Sequence, residues 1–232
     1  MGGVGGRAQT RLYRWPALVI RLGFSKLHEV VLLGAHCDDI AIGAGATLLA
    51  LSSDRPGLRV RTLVMTGGGS SRADEEHAAL EEFLPSANRQ TTILDLPDGR
   101  LPQHWDLVKV ALNDLARTCR PDLVLAPQRD DAHQDHRLIA ELAPTAFRDH
   151  LILSYEILKW ESDLLRAVVY HPVSPEHARL KADLLVKHYP SQSGHDWFDR
   201  EAFLGMMRIR GAQCHDRYAE GFVAEKMLLD LG

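Results

Sequence analysis

Two short polar clusters contain the residue types that a hydrolytic metal site needs. One is His36-Cys37-Asp38-Asp39, which directly follows an apolar run, and the other is His133-Gln134-Asp135-His136. A catalytic zinc ion takes three protein ligands from histidine and carboxylate side chains and keeps an open position for water. The metal lowers the pKa of that water to about 7, and a nearby carboxylate can take its proton. Together the clusters predict metal-dependent hydrolysis.

The first cluster offers two ligands and a base. His36 and Asp39 are spaced i,i+3, which lets both side chains point the same way across a tight turn. Asp38 lies between them and could accept the proton. A structural alternative is that two aspartates after a strand cap the next helix, where their charge suits the helix dipole.

The second cluster offers the remaining ligand. His133 and His136 are also spaced i,i+3, so one can complete the metal triad while the other faces the substrate. Asp135 could orient an imidazole, as carboxylates behind metal-bound histidines commonly do. A histidine pair of this spacing can also be a solvated or capping pair. Both clusters together supply three ligands and a base, which favours the metal site.

The intervening sequence alternates between strand and helix patterns. Apolar runs with β-branched residues predict strands, and longer amphipathic stretches predict helices. The predicted strands are Glu29–Gly34, Arg59–Thr66, Thr91–Leu96, Leu123–Pro127 and about Leu151–Leu158. The predicted helices are about Ile40–Leu51, Ala73–Leu84 after a Ser71 cap, Gln103–Cys119, Arg137–Phe147, and one from Pro175 with Leu180, Leu184 and His188 on one face.

This alternation predicts an α/β fold with a mostly parallel sheet and helices on both faces. Right-handed crossovers place the carboxyl ends of the parallel strands at one edge, where α/β proteins bind ligands. That edge would bring together the first cluster, Arg72, Asp98 and the second cluster. Gly43 and Gly45 lie in the first helix and predict its close approach to the sheet. From Ser191 onward the periodicity is weak.

The bulk composition is ordinary for a globular protein. The 232 residues suit one domain over residues 1–232, with residues 1–10 expected to be disordered and Leu12–Gly23 forming an edge strand or extended arm. The net charge of −4 gives no footprint of a nucleic-acid partner, and no apolar run predicts stable membrane insertion. Three scattered cysteines indicate a reducing compartment. We therefore expect a cytoplasmic protein.

The motifs resemble those of a known enzyme family. Ala35-His36-Cys37-Asp38-Asp39 resembles the Ala-His-Pro-Asp-Asp motif of the LmbE-like (PIG-L) zinc N-deacetylases, and His133-Gln134-Asp135-His136 resembles their His-Pro-Asp-His motif. Arg72 with Glu75 resembles the start of a family helix, and Leu96-Pro97-Asp98-Gly99 resembles a family turn. The resemblance implies a Rossmann-like three-layer sandwich, a bound Zn²⁺ and a small-molecule N-acetylated sugar as substrate.

The resemblance also implies roles for the individual residues. Zinc would be held by His36, Asp39 and His136. Asp38 matches the general base that activates the metal-bound water.

The remaining matched positions concern the substrate. His133 matches the histidine that stabilises the oxyanion, as an imidazolium, or helps to protonate the leaving amine, with Asp135 orienting it. Arg72 and Asp98 match positions that contact polar groups of the substrate. Cys37 and Gln134 replace prolines that are common in the family, at positions that hold no ligand.

Two further interpretations remain open from the sequence. Gly67-Gly68-Gly69-Ser70 could be an anion cradle, which would make the chain a nucleotide- or phosphate-binding protein without hydrolase activity. The aromatic side chains of Trp160, Trp197 and Phe198 could stack on a sugar ring or pack in the core.

Overall fold

The computed structural model describes residues 23–24 and 26–228. They form strands and helices in alternation over most of the chain. The strands are β1 (Glu29–Gly34), β2 (Arg59–Thr66), β3 (Asn88–Leu96), β4 (Leu123–Pro127), β5 (Ile152–Tyr155), β6 (Val169–Val173) and β7 (Tyr218–Ala224). The α-helices are α1 (Asp39–Asp54), α2 (Ser71–Phe83), α3 (Trp105–Thr118), α4 (Gln134–Ala146), α5 (Pro175–His188) and α6 (Arg200–Gln213).

The strands form one mixed sheet in the order β3-β2-β1-β4-β5-β7-β6. The five strands from β3 to β5 are parallel, and β7 and β6 continue the sheet antiparallel to their neighbours. The predicted α/β class with a mostly parallel sheet is therefore confirmed. β1 is buried along its whole length at the centre of the sheet, which explains its continuous apolar sequence.

Helices cover both faces of the sheet, as the sandwich prediction requires. One apolar core lies under α1, α2, α5 and α6, and a second lies under α3 and α4. The sheet is the middle of three layers. Its carboxyl edge stays open between the two helical layers, so the loops after β1, β3 and β4 meet there.

Some element boundaries differ from the predictions. α2 starts two residues early because Ser70, not Ser71, is its cap and accepts the amide of Arg72. α4 starts at Gln134 because the ring of His133 caps it. The buried face of α5 includes Ala178, Lys181 and Ala182, and of the predicted Leu180–Leu184–His188 face Leu184 is buried whereas Leu180 is exposed. β6, α6 and β7 were not predicted.

Helix α1 packs closely against its neighbours. A side chain at Gly43 would overlap the ring of Tyr155 in β5, which confirms the predicted approach to the sheet. A Cβ at Gly45 would lie 2.8 Å from the ring of Phe83, so this glycine serves helix–helix packing instead. In the middle of α1, the amides of Ala46 and Thr47 donate to the carboxylate of Glu220 in β7 at 3.0 and 2.7 Å.

No helix among the described residues is long and apolar enough to cross a membrane. The predictions for residues 1–10 and, except for Gly23, for Leu12–Gly23 fall outside the described residues.

The contact of Gly43 with Tyr155 predicts a large loss of stability on substitution. We expect Gly43→Ala to lower the free energy of unfolding by about 1–3 kcal/mol or more, because the added methyl group forces the buried ring to move. Urea unfolding measures the change. Gly205→Ala in α6 is the matched control, since that glycine is exposed with open space around it and alanine should be neutral or stabilising there. Equal stability of the two variants would contradict the packing argument.

Candidate metal centre

The turn between β1 and α1 fixes the first donor. Asp39 is the first residue of α1, and its Oδ2 accepts the amides of Ala35 and His36 at 2.8 and 2.9 Å. The carboxylate is buried, with 2 % relative exposure. These amides hold the carboxylate at the end of β1, so its position depends on the backbone rather than on a flexible side chain.

Two imidazoles meet this carboxylate. His36 Nδ1 lies 3.1 Å from His136 Nε2 and 3.6 Å from Asp39 Oδ2, and His136 Nε2 lies 3.2 Å from Asp39 Oδ1. Tetrahedral zinc, with bonds of about 2.0–2.1 Å, separates its ligand atoms by about 3.3 Å. The separations of the two nitrogens from each other and from the nearer carboxylate oxygen, Oδ2 for His36 and Oδ1 for His136, are close to this spacing.

The second nitrogen of each ring faces a carboxylate. His136 Nδ1 lies 3.0 Å from Asp131 Oδ1, and His36 Nε2 lies 3.2 Å from Asp135 Oδ2 and 3.0 Å from Asp98 Oδ1. Such carboxylates fix the ring orientation and tautomer of metal-bound histidines. The pattern indicates that His36 would offer Nδ1 and His136 would offer Nε2 to a metal.

Charge at this point favours a cation. Burial alone would lower the pKa of His136, but the carboxylates of Asp39 and Asp131 raise it to about 9. Burial alone would raise the pKa of Asp39, but His136 and His36 hold it well below its usual range. A buried site with this concentration of carboxylates stabilises positive charge.

His133 offers a second geometric possibility. Its ring centroid lies 4.8 Å from that of His36 and 4.7 Å from that of His136, and the three rings offer nitrogens within 4.8 Å of one another. His133 Nδ1 accepts the amide of Asp135 at 3.3 Å. The capping alternative thus holds for this ring, and its neutral form carries the proton on Nε2. Burial and the nearby histidines lower the pKa of His133, which argues against the expected imidazolium.

Asp38 has an unusual conformation. Its φ of 114° lies in the left-handed region, which a residue with a side chain rarely adopts. It precedes α1, but its side chain makes no capping hydrogen bond, so the capping alternative for the two aspartates does not hold at Asp38. Its Oδ2 lies 3.1 Å from Arg72. Burial and the charge of Asp39 raise the pKa of Asp38 to about 8, near the value that suits a general base.

Asp135 stands in a different place from the one expected. Its carboxylate contacts His36 and accepts the amides of Gly99 and Leu101 at 2.8 and 3.0 Å, whereas only its backbone amide contacts the His133 ring. Asp135 therefore ties the loop after β3 to His36. Its expected role in orienting His133 stays a prediction.

The predicted substrate residues line a cleft of about 440 Å³ beside His36. Asp98 is largely exposed there, while its Oδ1 contacts His36. Arg72 is less available, because its guanidinium bonds to the carbonyl of Cys37 as well as to Asp38. Cys37 is buried, and burial raises the pKa of its thiol to about 12. That agrees with its interpretation as a small apolar residue.

The sequence interpretation missed two residues that support the second cluster. Asp131 is buried behind His136, and Lys159 Nζ lies 3.0 Å from Asp131 and 2.5 Å from Asp163. Asp131 lies close to the His133–His136 motif, so an acidic residue just before the motif was the available signal. Lys159 follows β5 and gave none, because only the fold brings it to this edge.

The three aromatic residues separate into two groups. Phe198 is buried in the core. Trp160 is 62 % exposed, donates from its indole nitrogen to Asp196, and lies edge-on to Trp197 with centroids 6.0 Å apart. Core packing is therefore wrong for Trp160, and stacking on a sugar stays a prediction for it.

A family model described as PIG-L: GlcNAc-PI de-N-acetylase matches residues 31–147. This match covers half of the chain and both polar clusters. The chain belongs to the PIG-L family. Within this PIG-L protein, the matched segment runs from β1 into the loop after α4. All the candidate metal ligands described above lie in it.

Several relatives resemble the chain over most of its length. An uncharacterised deacetylase, YaiS, from Escherichia coli K12 is 29 % identical over 177 residues, covering 71 % of this chain and 92 % of YaiS. The N,N′-diacetylchitobiose deacetylase of Pyrococcus horikoshii has a TM-score of 0.66 at 21 % identity, covering 85 % of this chain and 84 % of that one. GalB, a 4-carboxy-2-hydroxymuconate hydratase from Pseudomonas putida KT2440, has a TM-score of 0.70 at 16 % identity, with 89 % and 99 % covered.

The glycine-rich loop after β2 is poorly suited to the alternative role in anion binding. The amide of Gly68 donates to Leu94 at 2.9 Å and that of Ser70 donates to Gly67 at 3.3 Å. The Ser70 hydroxyl accepts the amide of Arg72 as the cap of α2. Two amides of this loop are thus already bonded within the protein, which favours the hydrolase interpretation.

The contact of Asp131 with His136 predicts an effect on metal affinity. We expect Asp131→Asn to weaken Zn²⁺ binding by about 10- to 100-fold, because the neutral amide no longer fixes and polarises the ring. Competition against a chromophoric chelator measures the affinity. Asp130→Asn is the matched control, since Asp130 is the exposed neighbour. Equal affinities in the two variants would exclude this role for Asp131.

Proposed function

We propose that this PIG-L protein is a zinc-dependent N-deacetylase that removes the acetyl group from an N-acetylglucosamine-like amino sugar or glycoconjugate. The observation that carries the proposal is the set of His36, Asp39 and His136 atoms at 3.1 to 3.6 Å from one another, with Asp38 beside them. Family membership supports the reaction. The name of the Pyrococcus horikoshii relative, a diacetylchitobiose deacetylase, supports the amino-sugar class.

The chain's own residues divide the work of amide hydrolysis. His36, Asp39 and His136 would hold Zn²⁺, which when bound polarises an acetyl carbonyl and acidifies water. Asp38 takes the proton of the attacking water, and its raised pKa lets it pass that proton on to the leaving amine near neutral pH.

His133 faces the reacting carbonyl as a neutral donor. Because Nδ1 accepts a backbone amide, Nε2 carries the proton and can donate to the developing oxyanion. The carboxylates of Asp131 and Asp135 hold the rings of His136 and His36, so the donors are set before the substrate arrives. Asp98, exposed in the cleft, can accept hydrogen bonds from sugar hydroxyls, and Arg72, which also lines the cleft, can contact a polar group of the substrate.

The roles of Asp38 and His136 can be separated by substitution. We expect Asp38→Asn to lower kcat by about 10²- to 10⁴-fold with zinc still bound, because only the base is lost. We expect His136→Ala to lose the metal itself, because a donor is removed. Amine release measures turnover, and elemental analysis after dialysis measures zinc content. Full zinc occupancy in His136→Ala would exclude it as a ligand.

The substrate class is tested by a panel of acetylated amines. Zinc-loaded protein should release amine from N-acetylglucosamine or N,N′-diacetylchitobiose and not from an N-acetyl-lysine peptide, and chelation should abolish the release. A fluorescent amine reagent detects the product. Release from neither sugar would refute the amino-sugar assignment, and release unaffected by chelation would refute the metal dependence.

A further inference from the structure

Two residues of helix α2 form hydrogen bonds with one peptide group of the turn that carries Asp38. Arg72 donates to the carbonyl of Cys37, and Glu76 Oε2 accepts the amide of Asp38 at 3.0 Å. These are the two polar groups of the Cys37–Asp38 peptide. Arg72 and Glu76 are spaced i,i+4, so they lie on the same face of α2 and hold the peptide from both sides.

The Cys37–Asp38 peptide group directly precedes the strained backbone of Asp38. Asp38 has a φ of 114°, and among the described residues the only other non-glycine residue with positive φ is His215. A residue with a side chain keeps this conformation only where its surroundings enforce it. The orientation of the Cys37–Asp38 peptide sets φ of Asp38, and thereby the direction in which its carboxylate points.

Glu76 also forms a hydrogen bond with a residue at the end of the neighbouring helix α5. Its side chain is fully buried, and Oε2 also accepts the hydroxyl of Tyr189 at 2.7 Å. Tyr189, which follows α5 as its C-cap, is fully buried as well. The carboxylate therefore has one position, which is set by α2 and by the end of α5.

One oxygen of the Glu76 carboxylate lacks a partner. Glu76 Oε1 is buried and has no hydrogen-bond partner among the described residues. A buried oxygen without a hydrogen bond costs free energy. Such costs are typical of residues that serve a reacting group nearby.

We propose that Glu76 is a positioning residue that, through the amide of Asp38, holds the base in its left-handed conformation. Arg72 donates to the Cys37 carbonyl of the same peptide group, and Tyr189 orients Glu76. This inference rests on the proposed role of Asp38 in deacetylation.

The test compares two substitutions of equal length. Glu76→Gln keeps an oxygen that can accept the Asp38 amide, and Glu76→Met does not. We expect Glu76→Met to lower kcat by about 10- to 100-fold, because a displaced reacting group costs this much. KM and zinc affinity should stay within about threefold, and Glu76→Gln should retain most of the activity. Glu81→Met, an exposed site on the same helix, is the control.

A second measurement is independent of activity. Hydrogen exchange of the Asp38 amide should be slow in the wild type and in Glu76→Gln, and at least tenfold faster in Glu76→Met. Glu76→Met/Tyr189→Phe removes the hydroxyl that the first substitution leaves without a partner. It should restore stability without restoring kcat or the slow exchange.

The outcomes separate the two proposals. A wild type without deacetylase activity, but with the expected exchange pattern, would refute the proposed function. The hydrogen bond from the Asp38 amide to Glu76 would remain supported. Unchanged exchange of the Asp38 amide in Glu76→Met would show that Glu76 does not hold this amide. A kcat loss in Glu76→Met that is matched by loss of zinc, or that is shared by Glu76→Gln, would overturn the positioning role.

Discussion

The candidate metal centre depends on the way β1 ends. At that point the chain must leave a fully buried strand, present an imidazole and two carboxylates, and enter a helix without exposing polar backbone. The carboxylate of Asp39 resolves part of this demand by accepting the amides of Ala35 and His36, and α2 resolves the rest by bonding the Cys37–Asp38 peptide. The same hydrogen bonds therefore satisfy the backbone of the turn and fix the positions of its reactive side chains.

Around this turn, the other elements supply carboxylates to histidines. The loop after β3 brings Asp98, the loop after β4 brings Asp131 and the first turn of α4 brings Asp135, so both rings of the candidate metal centre contact carboxylates. Asp131 is in turn held by Lys159. An arrangement of alternating charges lets several buried ionisable groups coexist, since each faces a partner of opposite sign.

The sequence predicted the parts of the fold whose patterns are local. The fully buried β1 and the dense motifs at its end and before α4 were readable because apolar runs and chemically active residues lie side by side. β6, α6 and β7 were missed because their partly exposed faces leave only a weak period. Glu76 and Lys159 were missed for another reason: their partners are brought to them only by the folded sheet and helices, and no spacing in the sequence records those contacts.

The contact between Glu220 and α1 connects the candidate metal centre to a residue beyond those that the family model matches. Helix α1 starts with a donor, Asp39, and is bound in its middle by the carboxylate of β7, while Lys181 of α5 bonds the carbonyl of Ile42 and Glu220 together. A shift of α1 would therefore move both Asp39 and the amides that bind Glu220. Under the proposed function, metal binding at Asp39 and the pairing of β7 with α1 would be linked: a bound metal would raise the free-energy cost of opening β7, and opening β7 would weaken metal binding. Strand β7 would in this sense contribute to the metal affinity of a site that it does not touch.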